Sequence, residues 1–274
     1  MATDKRARQK ANRAQKLEQE AKTERRQQTR QRVLIGLLVA VGIGGVLFLL
    51  STGGADEETA TDVTLAPTTT VADLPSAVEA PELGGAIEGE AECPAADGSS
   101  ERITAFTDAP PTCIDTSATY IAEIDTTLGS ITVELDAAAA PETVNNFVFL
   151  SRYRYYDGAP FHRIIPGFVI QGGDAVGPAL GTGGPGYAID DELPAEGAYE
   201  VGSLAMANSG PNSSGSQFFI VTGPQGESLP AQYSLFGNVT EGLDVVSAIE
   251  GLPTNLSNFP TEEIYINSVT ITES

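Results

Sequence analysis

Residues 161–174 read FHRIIPGFVIQGGD, and residues 203–220 read SLAMANSGPNSSGSQFFI. Side chains two apart on a β-strand share a face, so Arg163 and Gln171 are predicted to point to the same side, although the Pro-Gly pair between them bends the path. An Arg and a Gln among Phe, Val and Ile form an apolar surface with a few directional donors, which is typical of a small binding site. The alternative is a buried strand whose Arg is merely paired, and the second stretch weakens that alternative.

At these residues the sequence closely resembles the cyclophilin family of peptidyl-prolyl cis-trans isomerases, over about residues 119–274. The pair FHRIIPGFVIQGGD and MANSGPNSSGSQFFI is a highly specific signal. The resemblance implies a mainly β fold, a closed eight-stranded antiparallel barrel with two capping helices and an active groove on its outer face. Together with the N-terminal segments described below, it favours a bacterial, membrane-anchored form of the family.

The resemblance also implies roles for individual residues. Arg163 matches the family's catalytic arginine, and Phe168 and Gln171 complete the implied catalytic group. The other matched positions bind substrate. The proline pocket contains Phe168 together with Val169, Phe219, Leu229 and Tyr233. The peptide backbone is bound by Gln171 together with Ala207, Asn208 and Gln217, and an adjacent side pocket is lined by Gly181 and Thr182.

The reaction implied for Arg163 requires no nucleophile, metal or cofactor. Resonance gives the X-Pro C–N bond double-bond character, so its rotation has a barrier of about 18–20 kcal/mol. A guanidinium near the prolyl nitrogen donates to the lone pair that the twisted transition state localises there, and so binds that state better than either planar ground state. Lowering the barrier by about 7 kcal/mol gives roughly a 10⁵-fold acceleration.

The chain departs from the family pattern beside the proline pocket. Ser228-Leu229 stands where the family often has Trp followed by Leu, and the loop 223–230 is about one residue longer. Tyr233 stands where many members carry His, and the chain has no Trp. We therefore expect weak binding of the cyclic-peptide inhibitor cyclosporin, with the Arg163 chemistry unaffected.

Other catalytic and cofactor chemistry lacks the necessary residues. Residues 181–186 read GTGGPG, a formal match to a dinucleotide motif, but Pro185 and the residues that follow favour a surface loop over the helix that such a site needs. The single His, His162, has apolar neighbours and no G-x-S-x-G partner, so we expect a packed core residue. Two Cys and one His exclude zinc modules, and no metal or cofactor is expected.

Beyond Tyr120 the hydrophobic pattern is that of a compact domain. Alternating residues at 120–125 and 131–135 predict a hairpin, and Pro141 is expected to open a helix with Val144 and Phe147 on its apolar face. Further strands are predicted at 161–171, 202–207, 217–221, 234–239 and 263–272, with a second helix at 243–249.

Charge divides the chain into two parts. Residues 1–32 contain 11 basic and four acidic residues, a net charge of +7, whereas the remainder contains four basic and 33 acidic residues, a net charge of −29. Between them, residues 33–50 form an 18-residue run of apolar or Gly residues, about 27 Å long as a helix. A single-pass signal anchor in the cell membrane is favoured over a cleaved signal peptide, with residues 1–32 cytoplasmic and the rest extracytoplasmic.

The basic segment 1–32 has no aromatic residue to stack on bases, so a solvated helix that sets topology is favoured and no nucleic-acid binding is expected. Residues 51–91 are rich in Thr, Ala, Pro and Glu, which predicts a flexible linker. Residues 92–118 form a neck flanked by Cys93 and Cys113, followed by the isomerase domain 119–274. In an oxidising compartment these cysteines are expected to form a disulfide, with two free thiols as the alternative.

The predicted function is catalysis of X-Pro isomerisation in extracytoplasmic proteins, with Pro-containing segments as partners. The alternative is a membrane-tethered, non-catalytic module that binds Pro-containing segments in the same groove.

Overall fold

The structure is a computed structural model that describes residues 82–177 and 181–274. The predicted basic segment, the predicted membrane span at 33–50 and residues 51–81 of the predicted linker lie outside these ranges. Among the helices in the described ranges, none has the length and apolar character needed to cross a membrane.

The described residues form ten strands and three helices, where two helices were predicted. The strands are β1 (Gly85–Ile87), β2 (Ile103–Phe106), β3 (Tyr120–Thr126), β4 (Gly129–Leu135), β5 (Arg163–Ile165), β6 (Val169–Gly172), β7 (Ser203–Met206), β8 (Phe218–Val221), β9 (Leu235–Glu241) and β10 (Ile266–Glu273). The helices are α1 (Pro141–Arg152), α2 (Pro224–Glu227) and α3 (Leu243–Glu250). The additional helix, α2, is a single turn within the loop that the sequence showed to be longer than the family pattern.

Strands β3 to β10 form one antiparallel sheet in the order β10-β3-β4-β9-β7-β8-β6-β5. The predicted closed barrel is wrong, because the curled sheet stays open between β5 and β10. The segment that precedes β5 does meet the start of β10, through an isolated bridge between Pro160 and Tyr265 and hydrogen bonds from the Gly158 N–H to the Ile266 carbonyl and from the Phe161 N–H to the Ile264 carbonyl. The three-residue β5 is too short to form a ladder across the gap.

The predicted hairpin is confirmed in β3 and β4, which pair from Tyr120 with Leu135 to Thr126 with Gly129. Gly129 has a φ of +134°, a conformation that favours glycine at this tight turn. Alternate side chains of both strands are buried, as the alternating pattern predicts.

The predicted single strand at 161–171 is wrong, because the structure has two short strands there, β5 and β6. Pro166 lacks the N–H that a strand needs and Gly167 adopts a φ of +74°, so the chain turns back on itself. Arg163 becomes the direct cross-strand partner of Gln171. The two side chains therefore share a face, but through pairing across a turn rather than through spacing along one strand.

Helix α1 packs in the main hydrophobic core with residues of the sheet, with Phe147, Phe149 and Leu150 fully buried. The N-cap residue before it, Ala140, has no side chain that can accept a hydrogen bond from the helix. The Glu192 carboxylate caps the helix instead. It accepts hydrogen bonds from the main-chain N–H groups of Glu142 and Thr143 and from the Thr143 hydroxyl, at 2.7–3.1 Å. This contact ties the segment that follows residue 190 to the helix.

The neck packs against α1, and the predicted disulfide between Cys93 and Cys113 is present, with 5.4 Å between the two Cα atoms. The Asn145 side chain of α1 donates to the Pro111 carbonyl and accepts from the Cys113 N–H. Strand β1 lies inside the stretch predicted as a flexible linker and pairs in parallel with β2 of the neck. That end of the linker is therefore ordered, since its main chain has a partner.

Candidate active site

The β5–β6 pair places Arg163 at the head of a chain of side-chain hydrogen bonds. Its Nη1 donates to Gln171 Oε1 at 3.1 Å, and Gln171 Nε2 donates to Gln217 Oε1 at 3.0 Å. Gln217 Nε2 in turn donates to the main-chain carbonyl of Gly183 at 2.9 Å. Gln171 thus orients the guanidinium directly, and the loop at Gly183 is connected to it only through Gln217 and Gln171.

Arg163 has no carboxylate partner among the described residues, where the ion pairs are Arg152–Glu273 and Arg154–Asp157. Its guanidinium carbon lies 5.9 Å from the centre of the Phe168 ring. An arginine held only by a neutral amide and an aromatic face keeps its positive charge available for a ligand. This arrangement argues against the alternative of a merely paired structural arginine.

A small pocket of about 100 Å³ opens beside this guanidinium. Six of its nine lining residues are apolar or aromatic, and the other three are polar or charged. All nine of its lining residues were predicted site residues: Arg163, Phe168, Val169, Gln171, Ala207, Asn208, Phe219, Leu229 and Tyr233.

Tyr199, which could not be identified from the sequence, lies behind the residues that line this pocket. Tyr199 is buried with Val169 and Phe219, and its hydroxyl donates to the Tyr233 carbonyl at 2.7 Å and accepts from the Tyr233 N–H at 3.1 Å. Burial raises the Tyr199 pKa, so the hydroxyl stays protonated. Tyr233 is thereby held edge-on to Phe219, with ring centres 5.4 Å apart. No sequence pattern connects Tyr199 with a residue 34 positions away.

A second, wider cavity of about 430 Å³ adjoins the first and shares Gln171, Ala207 and Asn208 with it. Its lining is uncharged, polar and rich in glycine, and it contains the predicted Gly181, Thr182 and Gln217. The two cavities form one continuous groove on the sheet. Every predicted site residue of the isomerase domain lies in this groove.

Asp174 holds the rim of the wider cavity in place, a role that the sequence analysis did not assign. Its buried carboxylate accepts hydrogen bonds at 2.7–3.2 Å from four main-chain N–H groups, those of Val176, Gly177, Gly181 and Gly183. A Cβ on Gly183 would lie only 2.2 Å from Asp174 Oδ1, so glycine is required there. As predicted, residues 181–186 form a loop with no helix after them.

His162 is a core residue, as predicted, with only 2% of its surface exposed. Burial lowers its pKa, with Arg163 adding to the effect and Asp174 opposing it. The ring is therefore neutral at pH 7. It packs behind Gly181 and supports the loop from below.

In chemical terms the groove offers one fixed cation, an apolar pocket and peptide-like hydrogen-bonding groups. The Asn208 side chain is committed internally, donating to the Gln232 carbonyl and accepting from the Gly210 N–H. Asn208 therefore presents its main chain to a ligand. Among the described residues no cluster of His, Cys, Asp or Glu has the makings of a metal site.

Comparison with known proteins places this geometry in a family. The model of the family described as "Cyclophilin type peptidyl-prolyl cis-trans isomerase/CLD" matches residues 121–271. The chain is 40% identical over 147 residues to Peptidyl-prolyl cis-trans isomerase CYP18-2 of Arabidopsis thaliana, covering 52% of this chain and 88% of that protein. It is 42% identical over 169 residues to Peptidyl-prolyl cis-trans isomerase B of Streptomyces anulatus, covering 55% of this chain and 95% of that protein.

A solved structure has the same fold. The crystal structure of a Cryptosporidium parvum cyclophilin type peptidyl-prolyl cis-trans isomerase in the presence of the dipeptide Ala-Pro aligns with a TM-score of 0.51 and 35% identity. The alignment covers 56% of this chain and 99% of that one.

Proposed function

Because the chain belongs to the family of cyclophilin type peptidyl-prolyl cis-trans isomerases, we propose that it catalyses X-Pro rotation in extracytoplasmic proteins as a folding catalyst. The enzyme class is peptidyl-prolyl cis-trans isomerase, EC 5.2.1.8, as carried by relatives about 40% identical to this chain. The observation that supports the mechanism best is the fixed Arg163 guanidinium at the mouth of the small apolar pocket.

In the proposed mechanism, Phe168 and Phe219 hold the substrate proline ring in the small pocket. Gln171 and the Asn208 main chain bind the flanking backbone, so one end of the amide is anchored while the other turns. As the C–N bond twists, its nitrogen lone pair localises and accepts a hydrogen bond from Arg163. The guanidinium is already oriented by Gln171, so no reorganisation is needed at the moment of reaction.

The experiment that tests this function is exchange NMR on an Ala-Pro-containing peptide with catalytic amounts of the full-length chain. Uncatalysed exchange takes tens of seconds or longer. We expect exchange cross-peaks between the cis and trans proline signals within seconds. Saturable binding of the peptide without faster exchange would instead establish the non-catalytic binding module.

We also propose that residues 33–50 anchor the protein in a cell membrane, with residues 1–32 cytoplasmic and the isomerase domain outside. The charge asymmetry and the apolar run support this placement. In protease treatment of intact cells, a C-terminal tag is expected to be removed while an N-terminal tag survives. Protection of both tags until lysis would contradict the proposed topology.

We expect cyclosporin to inhibit the enzyme only weakly, because Ser228 occupies the position where the family often has Trp. Ser228 bonds instead to the Pro224 carbonyl at the start of α2 and presents no aromatic surface. Ser228→Trp should tighten inhibition about 30-fold, since a buried Trp at an interface commonly contributes about 2 kcal/mol or more. Inhibition assays on both proteins check this, and nanomolar inhibition of the unmodified chain would contradict it.

A further inference from the structure

The neck at residues 92–118 precedes the segment that matches the family model, which begins at residue 121. It nevertheless lies against the loop 181–187 that lines the wider cavity. The contact is made by Phe106, the last residue of β2, whose side chain is 4% exposed. A segment outside the family's own domain thus reaches the wall of the substrate groove.

Three features fix the neck to this loop. The Phe106 N–H donates to the Pro185 carbonyl at 2.8 Å, and the Phe106 ring lies edge-on to Tyr187 with centres 6.2 Å apart. Gly186, with a φ of +107°, passes so close that a Cβ there would lie 2.1 Å from the Phe106 carbonyl oxygen. The loop is therefore shaped to admit the neck, because no other residue fits at this point.

The same loop residues form the wall of the wider cavity. Pro185 and Tyr187 both line it. The Tyr187 hydroxyl donates to Asn146 Oδ1 at 2.7 Å, and Asn146 Nδ2 donates to the carbonyl of Gly215, which also lines the cavity, at 2.8 Å. Tyr187 thus connects two walls of the cavity.

The neck also packs against α1 and against the residue that follows it. The Phe106 ring packs against Phe149 at 5.1 Å and against Tyr153 at 5.6 Å. The Cys93–Cys113 disulfide closes the segment that carries Phe106. The disulfide therefore limits how far Phe106 can move away from the loop.

From these contacts we infer that Phe106 is a positioning residue for substrate binding, and that the disulfide-closed neck sets the shape of the wider cavity through Pro185 and Tyr187. This inference rests on the proposed function, because the cavity adjoins the pocket for the substrate proline. Residues of a peptide that extend beyond the X-Pro pair along the groove enter this cavity. The neck therefore governs preference among longer peptides, while rotation at Arg163 does not depend on it.

The test compares kcat and KM of the full-length chain and of Phe106→Ala on two peptides, a minimal one capped on either side of Ala-Pro and one extended by about three residues on its N-terminal side. For the extended peptide, Phe106→Ala is expected to raise KM about tenfold, the loss that a missing contact in a binding pocket causes. Its kcat and both constants for the minimal peptide should stay within about a factor of two. Phe106→Leu, which keeps apolar volume in case the Ala variant does not fold, should give an intermediate KM.

Ile103→Ala is the matched control, because Ile103 lies on the same strand but its side chain faces β1 at Gly85 rather than the loop. It should leave KM for both peptides unchanged. Equal losses on the two peptides, or the same KM shift in Ile103→Ala, would overturn the inference and assign Phe106 a purely structural role.

Hydrogen exchange supplies a readout that does not depend on catalysis. In Phe106→Ala and in Cys93→Ser/Cys113→Ser, the amides of Gly181 and Gly183 should exchange faster, while those of the β3–β4 hairpin should be unchanged. Unchanged exchange of Gly181 and Gly183 would overturn the inference. If the wild-type chain did not accelerate rotation at all, the proposed function would fail, and the exchange data would still decide whether the neck restrains the loop.

Discussion

Arg163→Ala is expected to lower kcat/KM on an X-Pro peptide by about 100-fold or more, the usual loss when a preorganised transition-state donor is removed. The guanidinium is the one positive charge lining the small pocket. Its hydrogen bond to the prolyl nitrogen exists only when the amide is twisted, so the loss should fall on kcat more than on KM. Exchange NMR or a protease-coupled assay at several peptide concentrations separates the two constants.

Arg154→Ala provides the matched control for charge removal. The Arg154 side chain is half exposed and pairs with Asp157 at 2.9 Å, away from the groove. A surface ion pair of this kind contributes about 0–1 kcal/mol to stability, so activity should be unchanged. If Arg163→Ala retained the wild-type rate, the proposed transition-state contact would be wrong, whatever the result for Arg154→Ala.

The sequence predicted those parts of the fold that depend on neighbours in the chain. The β3–β4 hairpin follows from alternation around Gly129, and α1 follows from Pro141 and a helical stripe of apolar residues. Both patterns act within about a dozen residues, so they survive tertiary packing.

Barrel closure depends instead on contacts between distant parts of the chain. Strands β5 and β10 lie far apart in the sequence, and whether they pair is decided by how long β5 remains extended. The Pro166-Gly167 turn shortens β5 to three residues. The sequence showed the Pro and Gly but not the length of strand left for pairing, and the resemblance to a closed barrel led to the wrong prediction.

The groove residues were found because their motif is long and local, whereas the residues that support them were missed. Tyr199, Asp174 and Phe106 act through main-chain groups of other segments, which have no side-chain signature to match. Asp174 was even part of the quoted motif. Its role becomes visible only when the loop that follows folds back onto its carboxylate.

The largest stability effect is expected for Asp174→Ala. The Asp174 carboxylate is 1% exposed and accepts hydrogen bonds from four main-chain N–H groups. Removal leaves these donors without an acceptor, and each buried unsatisfied group costs about 1–3 kcal/mol. Since some of the donors lie near solvent and can bind water, we expect a loss of about 3 kcal/mol in the free energy of unfolding, measured by urea denaturation.

Asp174→Asn separates loss of the negative charge from loss of the side-chain shape. Asp190→Ala is the control for removal of a carboxylate, because Asp190 is exposed and lies in the same region of the chain. The substitution to Asn replaces one acceptor oxygen by an amide donor that faces N–H groups, so this variant should also lose stability, by less than Asp174→Ala. Both variants should raise KM through a looser loop at Gly181 and Gly183, with kcat retained because Arg163 is held from the Gln171 side. A fall in kcat at unchanged KM would show instead that the loop acts on the reacting amide itself, through Gln217 and Gln171.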